Sequence, residues 1–247
     1  MGRYDGKRAL ITGGGSGLGL ATARLLAGEG AHVIITGRTQ DTLDKARAEI
    51  GGDVTAVRSD SASRSDIEAL AAFVDADGGP LDGLFVNAGI NGFASFEETP
   101  EEMYDRLFAI NAKGPYFTVQ RLVPALAPGS GVVFTTSVIN RMGYPLTSVY
   151  SATKAALRSM TRTMARELLP RGVRVNAVSP GPIDTGILDR SLPAEVAAQT
   201  KAQMTAEVPM LRFGEPAEVA RAAAFLAFDA TFTTGSELAV DGGGSQL

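Results

Sequence analysis

The 247-residue sequence predicts one α/β domain built on a parallel sheet with helices on both faces, and three observations carry that reading. Seven short apolar runs, several rich in β-branched residues, recur at 8–12, 32–36, 54–57, 81–86, 132–136, 173–178 and 237–240. The segments between them carry helical spacing. The runs themselves are apolar without alternation, as parallel strands are when helices cover both faces of the sheet.

Taken in order, "RALIT" (8–12) is the first strand, and it runs into "TGGGSGLG", Thr12 to Gly19, with five glycines within seven positions. A helix follows over 17–28, with Gly28 and Gly30 at its end, and "HVIIT" (32–36) is the second strand. "VTAV" (54–57) is the third strand. Ile67, Leu70, Ala71 and Val74 then share one helical face before "LDGLFV" (81–86), the fourth. Thr99-Pro100-Glu101-Glu102 reads as a capping box with proline at the first helical position, opening a helix whose apolar side holds Met103, Leu107 and Ile110. "VVFTT" (132–136), "VRVNAV" (173–178) and "ELAV" (237–240) complete the strands. No repeat, low-complexity linker or charge block interrupts the series, so residues 1–247 form one domain.

Composition narrows the function. With 45% hydrophobic and 20% charged residues the chain is an ordinary globular one. A net charge of −4 without a lysine or arginine run argues against nucleic-acid partners. No stretch approaches the ~18 consecutive apolar residues of a membrane span, and the first residues lack a signal peptide's apolar segment. There are no cysteines, which removes disulfides and thiolate chemistry and fits a reducing compartment, so the expected location is the cytoplasm. The one histidine, His32, opens the second strand and reads as a surface residue, Asp184 and Asp189 read as solvated loop carboxylates, and no metal site is expected.

The glycine-rich turn is neither of the common phosphate motifs. Leu20 stands where a Walker A loop needs lysine, and Leu18 and Leu20 break G-x-G-x-x-G. What remains is T-G-x-x-x-G-x-G between a strand and a helix, where free amides, the helix dipole and close backbone approach favour an anion. Further along come "NAG" (Asn87 to Gly89) after the fourth strand, Asn111 in the next helix, Ser137 at the end of the fifth strand, "YSATK" (Tyr150 to Lys154), and "PGPIDT" (Pro180 to Thr185) after the sixth.

In this order and spacing the set resembles the short-chain dehydrogenase/reductase family over essentially the whole chain. The resemblance implies a Rossmann-like doubly wound sheet of about seven strands that binds a nicotinamide dinucleotide at the strands' carboxyl ends. It implies that Gly13, Ser16, Gly17, Leu18 and Gly19 surround the pyrophosphate and that Asp60, with Ser61 beside it, meets the adenine. Asn87, Ala88 and Gly89 would pass along the adenosine, and Pro180, Gly181, Ile183 and Thr185 would reach the carboxamide. It further implies that Lys154 grips the nicotinamide ribose and that Asn111 holds a water linking Lys154 to solvent. A homotetramer through helices near 101–126 and 148–168, with help from the apolar C-terminal end, is the expected assembly.

The residues themselves supply a chemical rationale. Carbonyl reduction needs hydride at carbon and a proton at oxygen, and a side chain can supply only the second. Tyr150 is the candidate acid and base. An ordinary phenol has a pKa of about 10, but Lys154 one helical turn away places an ammonium where it favours phenolate. Ser137 can donate a hydrogen bond to the substrate oxygen as charge develops.

At the end of the second strand Gly37 replaces the acidic residue that would chelate ribose hydroxyls, and Arg38 and Thr39 follow, so NADP(H) is favoured over NAD(H). The segment 186–211 is the expected substrate lid, with Ile187, Leu188, Met204 and Met210 as apolar cover, and Ile90, Phe93 and Tyr144 as further pocket wall. A hydrophobic or aromatic ketone suits such a pocket better than a sugar. Two readings within the family compete: an NAD-dependent sugar or alcohol dehydrogenase, and a 3-oxoacyl-(acyl-carrier-protein) reductase, for which Arg141, Arg171 and Arg174 hint at a basic docking patch. A dinucleotide-binding sensor or scaffold without turnover would be expected to have lost part of the Asn, Ser, Tyr, Lys set, all of which is present.

Overall fold

The computed structural model describes residues 2–247. The seven strands are β1 (Arg8–Thr12), β2 (His32–Gly37), β3 (Val54–Arg58), β4 (Leu81–Val86), β5 (Leu126–Thr135), β6 (Arg174–Pro180) and β7 (Glu237–Val240). They form one sheet in the order β3-β2-β1-β4-β5-β6-β7, every neighbouring pair parallel. The order reverses between β1 and β4, which opens a crevice at the carboxyl ends of those two strands.

Helices α1 (Gly17–Gly28), α2 (Gln40–Ile50) and α9 (Pro216–Ala224) cover one face of the sheet; α3 (Arg64–Ala76), α5 (Gly114–Leu122) and α6 (Ser148–Leu168) cover the other. Side chains alternate along each strand into two separate cores. Ala9, Ile11, Val33, Ile35 and Val133 meet the first helix layer, and Leu10, Ile34, Val132 and Phe134 meet the second. Both sets are apolar, which is why the strands show no alternation in sequence. No helix among the described residues is long and apolar enough to cross a membrane.

Helix termini follow local chemistry. α1 ends with Gly30 at φ 92°, where Gly30 N donates to Ala27 O and Ala31 N to Leu26 O, a Schellman arrangement that favours glycine. Ser63 caps α3 by accepting from Asp66 N at 3.2 Å.

The expected box at Thr99 does not form. α4 (Glu101–Phe108) starts after Pro100, and the Thr99 hydroxyl donates back to Ser95 O at 2.8 Å. A reciprocal capping box stands instead at Glu215 and Glu218, at the start of α9. Beyond α4 the chain widens into a π-helical turn, Ala109–Lys113, before α5. The fifth strand begins at Leu126, earlier than its apolar run, because Pro128, Gly129 and Ser130 are accommodated at its start. The sixth strand continues to Pro180.

Three sequence readings change in the structure. Arg174 is buried, and its guanidinium donates to the carbonyls of Leu226, Ala227 and Ala230, so it belongs to no docking patch. His32 is half-buried, with Nδ1 3.0 Å from Asp53 Oδ1, at the amino end of β2 and away from the crevice. Asp184 and Asp189 are not merely solvated, because both pair with Lys201, at 3.2 and 2.7 Å. That cluster joins the loop after β6 to α7 (Ile187–Ser191) and α8 (Ala194–Glu207).

Candidate active site

The crevice is built by two turns held side by side. The Thr12 hydroxyl, at the end of β1, accepts from Asn87 N and Ala88 N at 3.0 Å each, fixing the turn after β4 against the glycine turn. Asn87 Nδ2 returns bonds to Thr12 O and Gly13 O at 3.2 and 3.4 Å, and Thr135 Oγ1 donates to Asn87 Oδ1 at 3.2 Å. Thr12, quoted only as part of a motif, and Thr135 are therefore positioning residues that the sequence did not single out.

The glycines fit a cradle for a phosphate-bearing ligand. Gly13 and Gly17 lie at φ +67° and +52°, a region that side chains disfavour. A Cβ on Gly19 would stand 2.2 Å from Gly13 O, and one on Gly13 would stand 3.0 Å from Ala88 Cα. Ser16 occupies the N-cap of α1 without a side-chain cap bond, exposed at the positive end of the helix dipole. The Leu18 side chain packs into the first core, leaving its backbone to the turn.

Arg38 and Thr39 lie exposed just past β2. Asp60 lies past β3, where Oδ1 accepts from Ala62 N at 2.9 Å and so shapes the turn holding Ser61. At the far side of the crevice, Pro180 ends β6, Gly181 N donates to Val240 O, and Ile183 bridges to Gly214. Thr185 packs where a Cβ on Gly17 would sit 3.5 Å away, so the start of the lid overlies the glycine turn.

Tyr150 and Lys154 project from the first part of α6. Lys154 is buried, donates to Thr135 O at 2.9 Å, and lies 5.8 Å from the centroid of the Tyr150 ring. Burial pulls its ammonium down to about 8. Burial also raises the Tyr150 phenol above its ordinary value, while a hydrogen bond with Ser137 pulls the other way. The lowering expected from Lys154 is thus not what the chain by itself shows. Loss of water around the phenol outweighs the Ser137 hydrogen bond, and the amine is aimed at the Thr135 carbonyl.

Asn111 sits fully buried in the π-helical turn. Its Oδ1 accepts from Ile90 N at 2.8 Å, and Nδ2 donates to Ile90 O and Thr153 Oγ1 at 2.9 and 3.2 Å. Both amide donors are therefore spent on fixing the chain after Gly89 against α6. A Cβ on Gly89 would stand 3.2 Å from Asn111 Oδ1 and 3.5 Å from Lys154 Nζ, so glycine leaves open a space that both groups border.

The lid is fastened at its other end by the Tyr144 hydroxyl, which donates to Glu207 at the end of α8. That bond raises the Tyr144 phenol. Ile187 and Met210 are 42% and 61% exposed, which makes them surface cover rather than core, and Leu188 and Met204 are half-buried. Ile90 is half-buried and Phe93 is 64% exposed at the rim.

A doubly wound sheet with this glycine cradle beside a Ser, Tyr, Lys group defines a class of dinucleotide-dependent oxidoreductases. Comparison with known proteins specifies it. The family model described as Enoyl-(Acyl carrier protein) reductase matches residues 13–245. The oxidoreductase asL5 of Sarocladium schorii is 39% identical over 99% of this chain and 98% of its own length. The 3-oxoacyl-(acyl-carrier-protein) reductase FabG of Thermotoga maritima is 37% identical, over 98% of each chain. A solved structure of a short chain dehydrogenase/reductase family protein superposes with a TM-score of 0.87 at 41% identity, covering 99% of both chains. The chain belongs to the short-chain dehydrogenase/reductase family, oxidoreductases that use a nicotinamide dinucleotide.

Proposed function

We propose that the protein is an NADP(H)-dependent oxidoreductase that interconverts a ketone and a secondary alcohol, working in the cytoplasm as a homotetramer. The observation that carries the reaction type is the convergence of Ser137, Tyr150 and buried Lys154 beside the glycine cradle. A bound nicotinamide would supply the hydride. The cradle of Gly13, Ser16, Gly17 and Gly19 would hold the pyrophosphate through backbone amides, with Asp60 and Asn87 to Gly89 along the adenosine and Ile183 and Thr185 at the carboxamide.

Tyr150 gives its phenolic proton to the substrate oxygen in reduction and takes it back in oxidation. Ser137 donates to the same oxygen as negative charge builds there, a contact stronger in the transition state than in the ground state. Lys154 keeps a positive charge near the phenolate that Tyr150 becomes. A water in the space bordered by Gly89, Asn111 Oδ1 and Lys154 Nζ would return the proton from solvent.

The NADP(H) preference rests on Arg38, exposed past β2 with Gly37 in place of an acid. The Arg38→Asp variant is expected to reverse the ratio of kcat/KM between NADPH and NADH; a wild-type ratio already favouring NADH overturns the assignment. The reaction type is tested by Tyr150→Phe on a ketone panel, with an expected fall in kcat of about 10²–10⁴-fold at unchanged fluorescence-measured cofactor binding. Turnover that survives this change refutes the mechanism.

Action on an acyl-carrier-protein substrate is the second reading, favoured by the likeness to the Thermotoga FabG. The structure weakens the basic patch suggested for it, because Arg174 is internal and Arg141 pairs with Glu237 at 2.7 Å. A hydrophobic ketone remains the substrate class that the lid's Ile187, Leu188 and Met210 favour.

A further inference from the structure

Glu237, on the edge strand β7, is a carboxylate with a side chain 0% exposed. Burying a carboxylate is costly unless every oxygen finds a donor, and replacing such a cluster with apolar side chains often stabilises a fold. Glu237 is therefore poorly explained by stability. Among the described residues its oxygens meet polar groups from two places. Oε1 accepts from Thr136 Oγ1 at 2.6 Å and from Asn140 Nδ2 at 2.7 Å. Oε2 accepts no hydrogen bond and is held by charge alone, with Arg141 Nη2 at 2.7 Å and Arg158 Nε at 3.6 Å.

Those partners flank the reacting groups. Thr136 immediately precedes Ser137, and Asn140 closes the short 3₁₀ turn Val138–Asn140 that Ser137 Oγ caps by accepting from Ile139 N. Arg158 stands on α6 one turn beyond Lys154 and two beyond Tyr150, and it also donates to Gly235 O at 2.9 Å. The segment from Ser137 to Tyr150 is otherwise mostly irregular, with Ser151 Oγ to Ile139 O at 3.0 Å as another tie to α6. Ser137 and Tyr150 must address one substrate oxygen, and irregular backbone does not by itself keep two donors in register.

We propose that Glu237 is a positioning residue for the reaction: one buried carboxylate locks the Ser137 turn to the Tyr150 helix from beneath the site. This rests on the reading that Ser137 and Tyr150 both act on the substrate oxygen. The role is geometric, so removing it loosens the placement of Ser137 against Tyr150 without touching the glycine cradle on the other side of β4.

The test is steady-state kinetics of the full chain carrying Glu237→Gln, which keeps shape but removes charge, alone and on a Ser137→Ala background. The expected result is a roughly tenfold lower kcat, with substrate KM and the fluorescence-measured Kd for NADPH within about twofold of wild type. Glu237→Asp is expected to recover part of the loss. On the Ser137→Ala background the same change is expected to cost less than about twofold, because the group being positioned is already gone. An unchanged kcat, or the same tenfold loss with Ser137 absent, overturns the proposal. If Glu237→Gln does not fold, Asn140→Ala and Arg141→Met test the same cluster from its rim; wild-type kcat in both refutes it, and a kcat loss confined to the Ser137-containing background supports it. Tyr150→Phe, run in parallel, keeps the two failures apart. Persistent turnover there defeats the underlying mechanism, whereas its loss together with an undiminished Glu237→Gln defeats only the positioning role.

Discussion

At the residue scale the site contains a conflict between stability and chemistry. Lys154 is buried and its ammonium is held down to about 8 from an ordinary 10.5. A lysine with a lowered pKa binds fewer protons folded than unfolded between those values, so its destabilising contribution is full below pH 8 and fades as pH rises toward 10.5. Converted at 1.36 kcal/mol per unit, the cost at neutral pH is on the order of 3 kcal/mol. Lys154→Met is therefore expected to raise Tm by a few degrees at pH 7 while abolishing turnover, an outcome that thermal melts and rate assays check together.

The same values set a pH profile. Tyr150, raised by burial, stays protonated through neutrality, which suits it as the acid of carbonyl reduction. Reduction is expected to be flat near pH 7 and to fall as pH passes about 8, where Lys154 loses its charge. A reduction rate that climbs through pH 8 to 9 contradicts this assignment. That Tyr150, Lys154, Ser137 and Asn111 lie near one another was legible in the sequence through their order and spacing. The desolvation that dominates Tyr150 was not, since spacing gives proximity but not the water around a group.

At the scale of elements, the glycine turn makes the sharpest prediction. Gly19→Ala places a methyl 2.2 Å from Gly13 O, a backbone atom that cannot move without breaking the pairing of Thr12 with Asn87. A loss of stability of a few kcal/mol is expected, together with loss of nicotinamide-dinucleotide binding. Gly28→Ala, where a Cβ meets nothing within 4 Å, is the control and should leave both intact.

Strand positions were readable because each is a short apolar run bounded by turn residues, and only the ends moved. The start of β5 at Leu126 was hidden because Pro128 and Gly129 resemble a turn, and Thr99 fails as a cap because α4 starts one residue later, after Pro100, with the Thr99 hydroxyl turned back to donate to Ser95 O. Contacts that join distant elements stayed invisible. Nothing in the sequence couples Tyr144 to Glu207 or Glu237 to Asn140, since such pairs depend on how the sheet order folds the chain back on itself.

At the scale of the molecule, two separate apolar surfaces argue for the assembly. Tyr104 on α4 and Tyr116 on α5 are 47% and 41% exposed. Phe232 and Leu238, beside and on the edge strand β7, are exposed elsewhere, with Phe232 wholly in solvent. A two-fold dimer needs one self-complementary patch, whereas a tetramer of dihedral symmetry needs two distinct ones. An uncovered edge strand beside exposed aromatics also invites uncontrolled association unless a partner covers it. Light scattering is accordingly expected to give four times the 25.6 kDa protomer mass. Tyr104→Glu with Tyr116→Glu should leave dimers joined at the β7 side, and Phe232→Asp with Leu238→Lys should leave dimers joined through α4 and α5. Because the glycine cradle and Tyr150 draw on neither patch, each dimer should still bind the nicotinamide dinucleotide. A wild-type monomer at micromolar concentration, or either double variant remaining tetrameric, would show that these surfaces face water in the working protein.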